Sequence, residues 1–131
     1  MKKITLLLVI TFTFLFSTTS WGEWTYVTES VDGHKSYYDK DRVRKSGKYL
    51  YFWELVDYIK PRSVFGNLST TSYTQLDCSI FRYKNLKLLF YTNSMGEGKM
   101  IDEVTPPDEW HYIPPKSVID GMYTYICEEH Q

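Results

Sequence analysis

Cysteine is nearly absent: Cys78 and Cys127 are the only two. No C-x-x-C pair occurs, and the three histidines are scattered at positions 34, 111 and 130. A zinc site needs about four converging ligands, so no metal and no cofactor is expected. An excess of basic charge is also missing, since 15 Lys and Arg face 16 Asp and Glu. With no basic stripe, nucleic acid is not an expected partner. No G-x-S-x-G motif offers a serine nucleophile. Met95-Gly96-Glu97-Gly98 lacks the Lys-Ser/Thr that completes a phosphate loop, and it reads as a glycine-permitted turn. Only one long apolar run exists, at the very start, so no membrane span is expected after it.

That run has the layout of a secretory signal. Lys2 and Lys3 are a positive n-region, residues 4–16 carry no charge, and residues 17–22 turn small and polar apart from Trp21. The apolar stretch is about 13 residues, short of the roughly 20 that span a bilayer. Residues 1–22 are therefore expected to be removed, with cleavage after Gly22 or, alternatively, after Ser20. No cysteine lies near that point to accept a lipid. The mature protein is expected in the periplasm, at the cell surface or secreted. Residues 23–131 then make one domain, and loss of Lys2 and Lys3 makes the formal net charge of −1 two units more negative.

Export bears on the cysteines. In an oxidising compartment an unshared pair is most simply a disulfide. A metal or redox pair is the alternative. A Cys78–Cys127 bond would close a loop of about 50 residues, worth roughly 4 kcal/mol in the chain-entropy model.

The remaining chain reads mainly as strands. Residues 24–30 alternate, with Trp24 and Tyr26 on one face. Asp32-Gly33 is a hairpin signal leading into residues 34–39. A short turn at 41–44 and a reversal at Ser46-Gly47 precede a long strand over 48–60, which Pro61 ends. Tyr49, Tyr51, Trp53, Leu55 and Ile59 share one face of it. Leu50, Phe52, Val56 and Tyr58 share the other. Trp24, Tyr49, Tyr51 and Trp53 are expected in the core. Residues 63–66 read as loop. The Thr- and Tyr-rich segment from 69 is expected to run as a strand through Tyr83, with a tight turn at Lys84-Asn85 into residues 86–92. A turn over 93–98, a short strand over 99–104, a proline loop over 105–108 and an edge segment over 110–113 follow.

After Pro114-Pro115 the period changes. Val118, Ile119, Met122, Tyr123 and Ile126 recur at helical spacing, with Ser117 as N-cap. Gly121 weakens that helix by about 1 kcal/mol. Its apolar stripe needs a partner, and only a sheet is present. The expected fold is α+β: an antiparallel sheet of about six strands with one C-terminal helix packed on a face and tied by a disulfide.

Catalysis has little support. Asp39, Asp41, Glu54 and Asp57 could supply an acid–base pair, which needs divergent pKa values at a cleft. Solvated or edge charges are the simpler expectation for all four. Cys127-Glu128-Glu129-His130 reads as a frayed tail. The best surface candidate is Arg82, Tyr83, Lys84 and Lys87 with Tyr91, taken to lie on one hairpin. Arg and Tyr are enriched in binding hot spots, although charge that keeps a sheet edge soluble looks the same.

Several fragments, read in order, carry a resemblance: Trp24-Thr25-Tyr26-Val27, Tyr37-Tyr38-Asp39, Trp53-Glu54-Leu55-Val56-Asp57-Tyr58 and Leu76-Asp77-Cys78. Tyr91, Met95-Gly96-Glu97-Gly98, Trp110, Pro114-Pro115-Lys116-Ser117-Val118 and Cys127 complete the set. Together they resemble the surface-adhesin protein E family of bacterial exported proteins. The resemblance implies an antiparallel sheet with a disulfide-tethered C-terminal helix. It also implies a non-enzymatic binding protein, with a host matrix or envelope protein as partner and a homodimer as an assembly. A structural or stress-related periplasmic role is the alternative.

Overall fold

The computed structural model describes residues 23–62 and 64–131, so the signal reading of residues 1–22 lies outside the described part. Eight strands join one antiparallel sheet: β1 (Thr25–Glu29), β2 (Lys35–Tyr38), β3 (Arg44–Ser46), β4 (Tyr49–Arg62), β5 (Asn67–Asp77), β6 (Arg82–Tyr91), β7 (Met100–Val104) and β8 (His111–Tyr112). The main path runs β1-β2-β4-β5-β6-β7, six strands as expected. The other two are short: β3 pairs with β4, and β8 pairs with β6. Among the described residues one α-helix, α1 (Val118–His130), follows the strands.

The helix starts where its sequence says it should. Ser117 is the N-cap, and its hydroxyl accepts the Asp120 amide at 3.2 Å. Capping satisfies a backbone donor that has no partner inside the helix. Met122, Tyr123 and Ile126 are buried against Tyr38, Leu50, Phe52, Leu76 and Ile113, which form the core. These core residues of β4 are even-numbered, so one face of the sheet carries the helix and the other is free of it. The Cys78–Cys127 disulfide forms, with 5.9 Å between the two Cα atoms, and ties the helix end to the end of β5. The tail is not frayed. The helix runs to His130, whose Nε2 lies 3.0 Å from the Tyr38 hydroxyl.

Further expectations fail. The turn between β5 and β6 is at residues 78–81, not at Lys84-Asn85. Cys78-Ser79-Ile80-Phe81 contains neither glycine nor proline. Buried Asp77 makes the turn instead: its Oδ1 accepts from the Ser79 amide at 3.1 Å and hydroxyl at 2.6 Å, and its Oδ2 accepts from Arg82 Nε at 3.1 Å. A side-chain acceptor that captures the amide two residues on mimics a backbone turn. Phe81 takes a left-handed φ of 52° to finish it. Burial alone would raise the Asp77 pKa, but the hydrogen bonds from Ser79 and Arg82 outweigh it and hold the carboxyl below its ordinary value.

The second failure is Pro61, which does not end β4; the strand continues to Arg62. The β4–β5 ladder is irregular between Asp57 and Arg62, so the missing proline donor falls in a gap of the register. The third is the carboxylates: Asp39 and Glu54 are buried, not solvated. Glu54 is even-numbered on β4 and therefore points under the helix.

Candidate functional site

The helix-free face carries a row of half-buried aromatic rings. Tyr49, Tyr51 and Trp53 of β4 are odd-numbered and half-buried there, not in the core as expected. Both sets of alternating residues on this strand are rich in aromatics. Periodicity separates the two faces but cannot say which one the helix covers. The rings form a row. Tyr51 and Trp53 lie 6.3 and 5.1 Å from Tyr73 of β5, and Tyr49 lies 5.4 Å from Trp110. Cations sit over the same rings. Arg44 is 4.9 Å from the Tyr51 centroid, and Arg82 and Lys84 are 4.1 and 4.5 Å from that of Trp110. Cation–π contacts of this kind contribute about 0.5–1 kcal/mol at exposed sites.

A bulge assembles this face. β6 pairs Tyr73 with Lys87 but Thr74 with Asn85, leaving Leu86 as an extra residue. One inserted residue inverts the alternation downstream. Arg82 and Lys84 before the bulge, and Lys87, Leu89 and Tyr91 after it, therefore share the helix-free face. Without the bulge the first pair would be on the opposite side from the other three. The expected candidates are thus brought together by one strand, not by a hairpin tip, and Tyr83 is the exception. It points under the helix, 5.4 Å from the Tyr123 ring, and burial raises its pKa.

The charges on this face are largely paired. Arg82 bonds to Asp77, Lys84 to Asp108 at 2.7 Å, and Lys87 to Glu103 at 2.6 Å. What the face presents is planar rings and guanidinium groups more than free positive charge. Trp110, Tyr73 and Arg44 belong to it and were not among the binding candidates expected from sequence. Trp110 reaches it because β8 docks on β6 across 28 residues of chain beyond Arg82, a register that sequence spacing does not reveal.

At the Tyr91 end the face deepens into a cleft of about 1060 Å³. Trp24, Trp53, Leu89 and Tyr91 line it, with Asp39, Thr71 and the 95–98 loop. The loop is pinned at three points. Met95 N donates to Asp57 Oδ1 at 2.9 Å, Gly96 N donates to Ser69 Oγ at 2.9 Å, and Ser69 Oγ donates to the Asn93 carbonyl at 2.6 Å. Gly96 has φ +69°, and a Cβ there would lie 3.2 Å from Leu55 Cδ1. Glycine is needed for both the turn and the close approach.

A second polar cluster lies under the helix. Glu54 Oε2 accepts from the Tyr123 hydroxyl at 2.7 Å and lies 3.0 Å from Thr74 Oγ1. Desolvation pushes the Glu54 pKa up to about 7, against the opposing pull of those two hydrogen bonds. Glu54 does not line the cleft; it links the helix to the sheet. Among the described residues no group of three or more His, Cys, Asp or Glu is placed to hold a metal ion, and no helix is long and apolar enough to cross a membrane.

The sequence pattern of the family described as surface-adhesin protein E matches residues 24–128. No curated protein matches the chain in sequence. Solved structures do match in fold. One structure of Haemophilus influenzae protein E superposes with a TM-score of 0.59 at 16% identity, covering 87% of this chain and 89% of that one. A second crystal form of the same protein gives a TM-score of 0.61 at 16% identity, covering 87% and 93%. Protein E from a non-typeable strain gives 0.56 at 16% identity, covering 86% and 79%.

Proposed function

The chain belongs to the surface-adhesin protein E family, and on that premise we propose that it is an exported, non-enzymatic protein that binds a protein partner through the helix-free face of its sheet. The observation that carries this is the row Trp110, Tyr49, Tyr51, Tyr73 and Trp53 with Arg44 and Arg82 over its rings. Large aromatic and Arg side chains supply contact area at low conformational cost and dominate interface energetics. On the opposite face α1 covers Tyr38, Leu50, Phe52 and Leu76. The buried ion pair of Asp77 with Arg82 and the pinned 93–98 loop hold the face rigid before binding, which limits the ordering cost. The partner is a host matrix protein or another envelope component.

The test is binding of the purified protein to matrix and serum proteins and to envelope extract, with Trp110→Ala and the double variant Tyr51→Ala, Trp53→Ala beside the wild type. A saturable partner whose affinity falls at least about tenfold in both variants supports the reading. Absence of any saturable partner, or one bound equally by all three proteins, overturns it. Protease shaving of intact cells adds the location: a surface protein is cut, and a periplasmic one is spared.

A further inference from the structure

The cleft beside Tyr91 contains an unresolved polar imbalance. Asp39 and Thr71 line it, and each is only 5% exposed. Asp39 Oδ1 and Thr71 Oγ1 nevertheless have no hydrogen-bond partner. Buried polar atoms are nearly always paired, and leaving one unpaired is unfavourable by about 1–3 kcal/mol, more for a charged group. The other Asp39 oxygen is 3.5 Å from Arg42 Nε, on a side chain that is 58% exposed. The Arg42 partner is largely in solvent and the separation is long, so the pair offsets the Asp39 charge only in part.

The rest of the lining narrows the chemistry that would correct this. Glu23, Asp39 and Glu97 are acidic, and Arg42 alone is basic. Trp24, Trp53 and Tyr91 add ring faces whose quadrupoles attract positive charge. An anion would meet the carboxylates unfavourably. A neutral ligand could stack on the indoles but would leave the negative charge unused.

We propose that this cleft binds an organic cation, an ammonium or guanidinium group, with Asp39 as its charged acceptor, Thr71 as a second oxygen partner, and Trp24 and Trp53 as its walls. The torsion that turns the Asp39 carboxyl is soft and roughly two-fold, so a small rotation brings an oxygen to the cleft. The cation comes from a free amine or from a Lys or Arg side chain of a protein. The proposal does not rest on the protein-binding reading, because its charged groups belong to the acidic cleft, which shares Trp53 alone with the aromatic row.

Calorimetric titration of the purified protein with spermidine and with a capped peptide bearing Lys and Arg separates these two sources. A neutral sugar serves as control. Saturable binding of either cation is expected, weakening as salt rises. Asp39→Asn should weaken it at least about tenfold, and Glu97→Gln, on an exposed side chain that leaves folding intact, a few-fold. Spermidine alone binding identifies a free amine; the peptide alone binding identifies a side chain. Three results overturn the proposal: no saturation by either cation up to about 10 mM, affinity unchanged in both variants, or the neutral sugar binding as well as the cations. Loss of cation binding leaves any effect of Trp110→Ala on a protein partner untouched, so failure here is distinct from failure there.

Discussion

The Tyr123 hydroxyl donates to Glu54 Oε2 at 2.7 Å, joining the middle of α1 to the centre of the sheet through two buried side chains. Thr74 Oγ1 lies 3.0 Å from the same oxygen and 3.2 Å from Asn85 Oδ1. The node sits among the packed side chains of Leu50, Phe52, Leu76, Met122 and Ile126. Its protonation therefore bears on how firmly the helix is held.

Stability should fall between about pH 5 and about pH 8, with Glu54 as the cause. The folded pKa, about 7, lies above the ordinary carboxylate value of 4.5. The folded state holds the proton more tightly, so this contribution is full below the lower value and is lost as pH rises through the upper one. A shift of that size corresponds to about 3 kcal/mol. Urea denaturation across the range should show the decline in the wild type and a nearly flat profile in Glu54→Gln. Asp77, with its lowered pKa, acts in the opposite sense and only at acid pH, so it does not mask the effect. A wild type whose stability rises over the same range would exclude Glu54 as the controlling group.

Tyr123→Phe keeps the ring contacts with Phe52 and Tyr83 but removes the donor to Glu54. A loss of about 1–3 kcal/mol is expected, larger at alkaline pH where the carboxylate is charged. The hydrogen bond also lowers the Glu54 pKa. The midpoint of the pH profile should therefore move upward in this variant, a change that loss of packing alone would not produce.

The disulfide should contribute strongly to stability. It spans a sequence separation of 49 residues, for which chain entropy gives about 4 kcal/mol. Reduction of the intact protein should add the mass of two hydrogens and lower the melting temperature markedly. Two free thiols in protein isolated from cells would contradict the bond, and an unchanged melting temperature would contradict its weight.

Gly98→Ala should disorder the loop that walls the cleft. Gly98 has φ +80°, and an added Cβ would collide with Thr92 Oγ1 and lie 2.7 Å from Asn93 Cγ. A cost above about 1 kcal/mol is expected, since Ala fits neither the backbone nor the space. Amide exchange should rise first at Met95 and Gly96, whose amides are held by Asp57 and Ser69.

Trp110→Ala should cost roughly 1–2 kcal/mol, because the ring is half-buried and two cations lose its face. Thermal melting reads that loss. The larger effect is expected on binding to a protein partner. A loss of stability with full retention of binding would assign Trp110 to packing alone.

Features decided by short stretches of chain were legible in the sequence. The helix announces itself through Ser117 and the spacing of Val118, Ile119, Met122, Tyr123 and Ile126, because capping and periodicity act within a few residues. The β1–β2 hairpin follows from Asp32-Gly33, with Gly33 at φ +91°. Two lone cysteines in a chain that opens like an exported one imply a bond, and the bond is there. Tertiary structure alone decided the rest. The side of the sheet taken by Tyr49, Tyr51 and Trp53 depends on where α1 lands. The gathering of Arg82 and Lys84 with Lys87 and Tyr91 depends on one unpaired residue, Leu86, in the register of two strands. Each is settled by contacts between segments far apart in sequence, and local pattern carries no record of which partner a residue will meet.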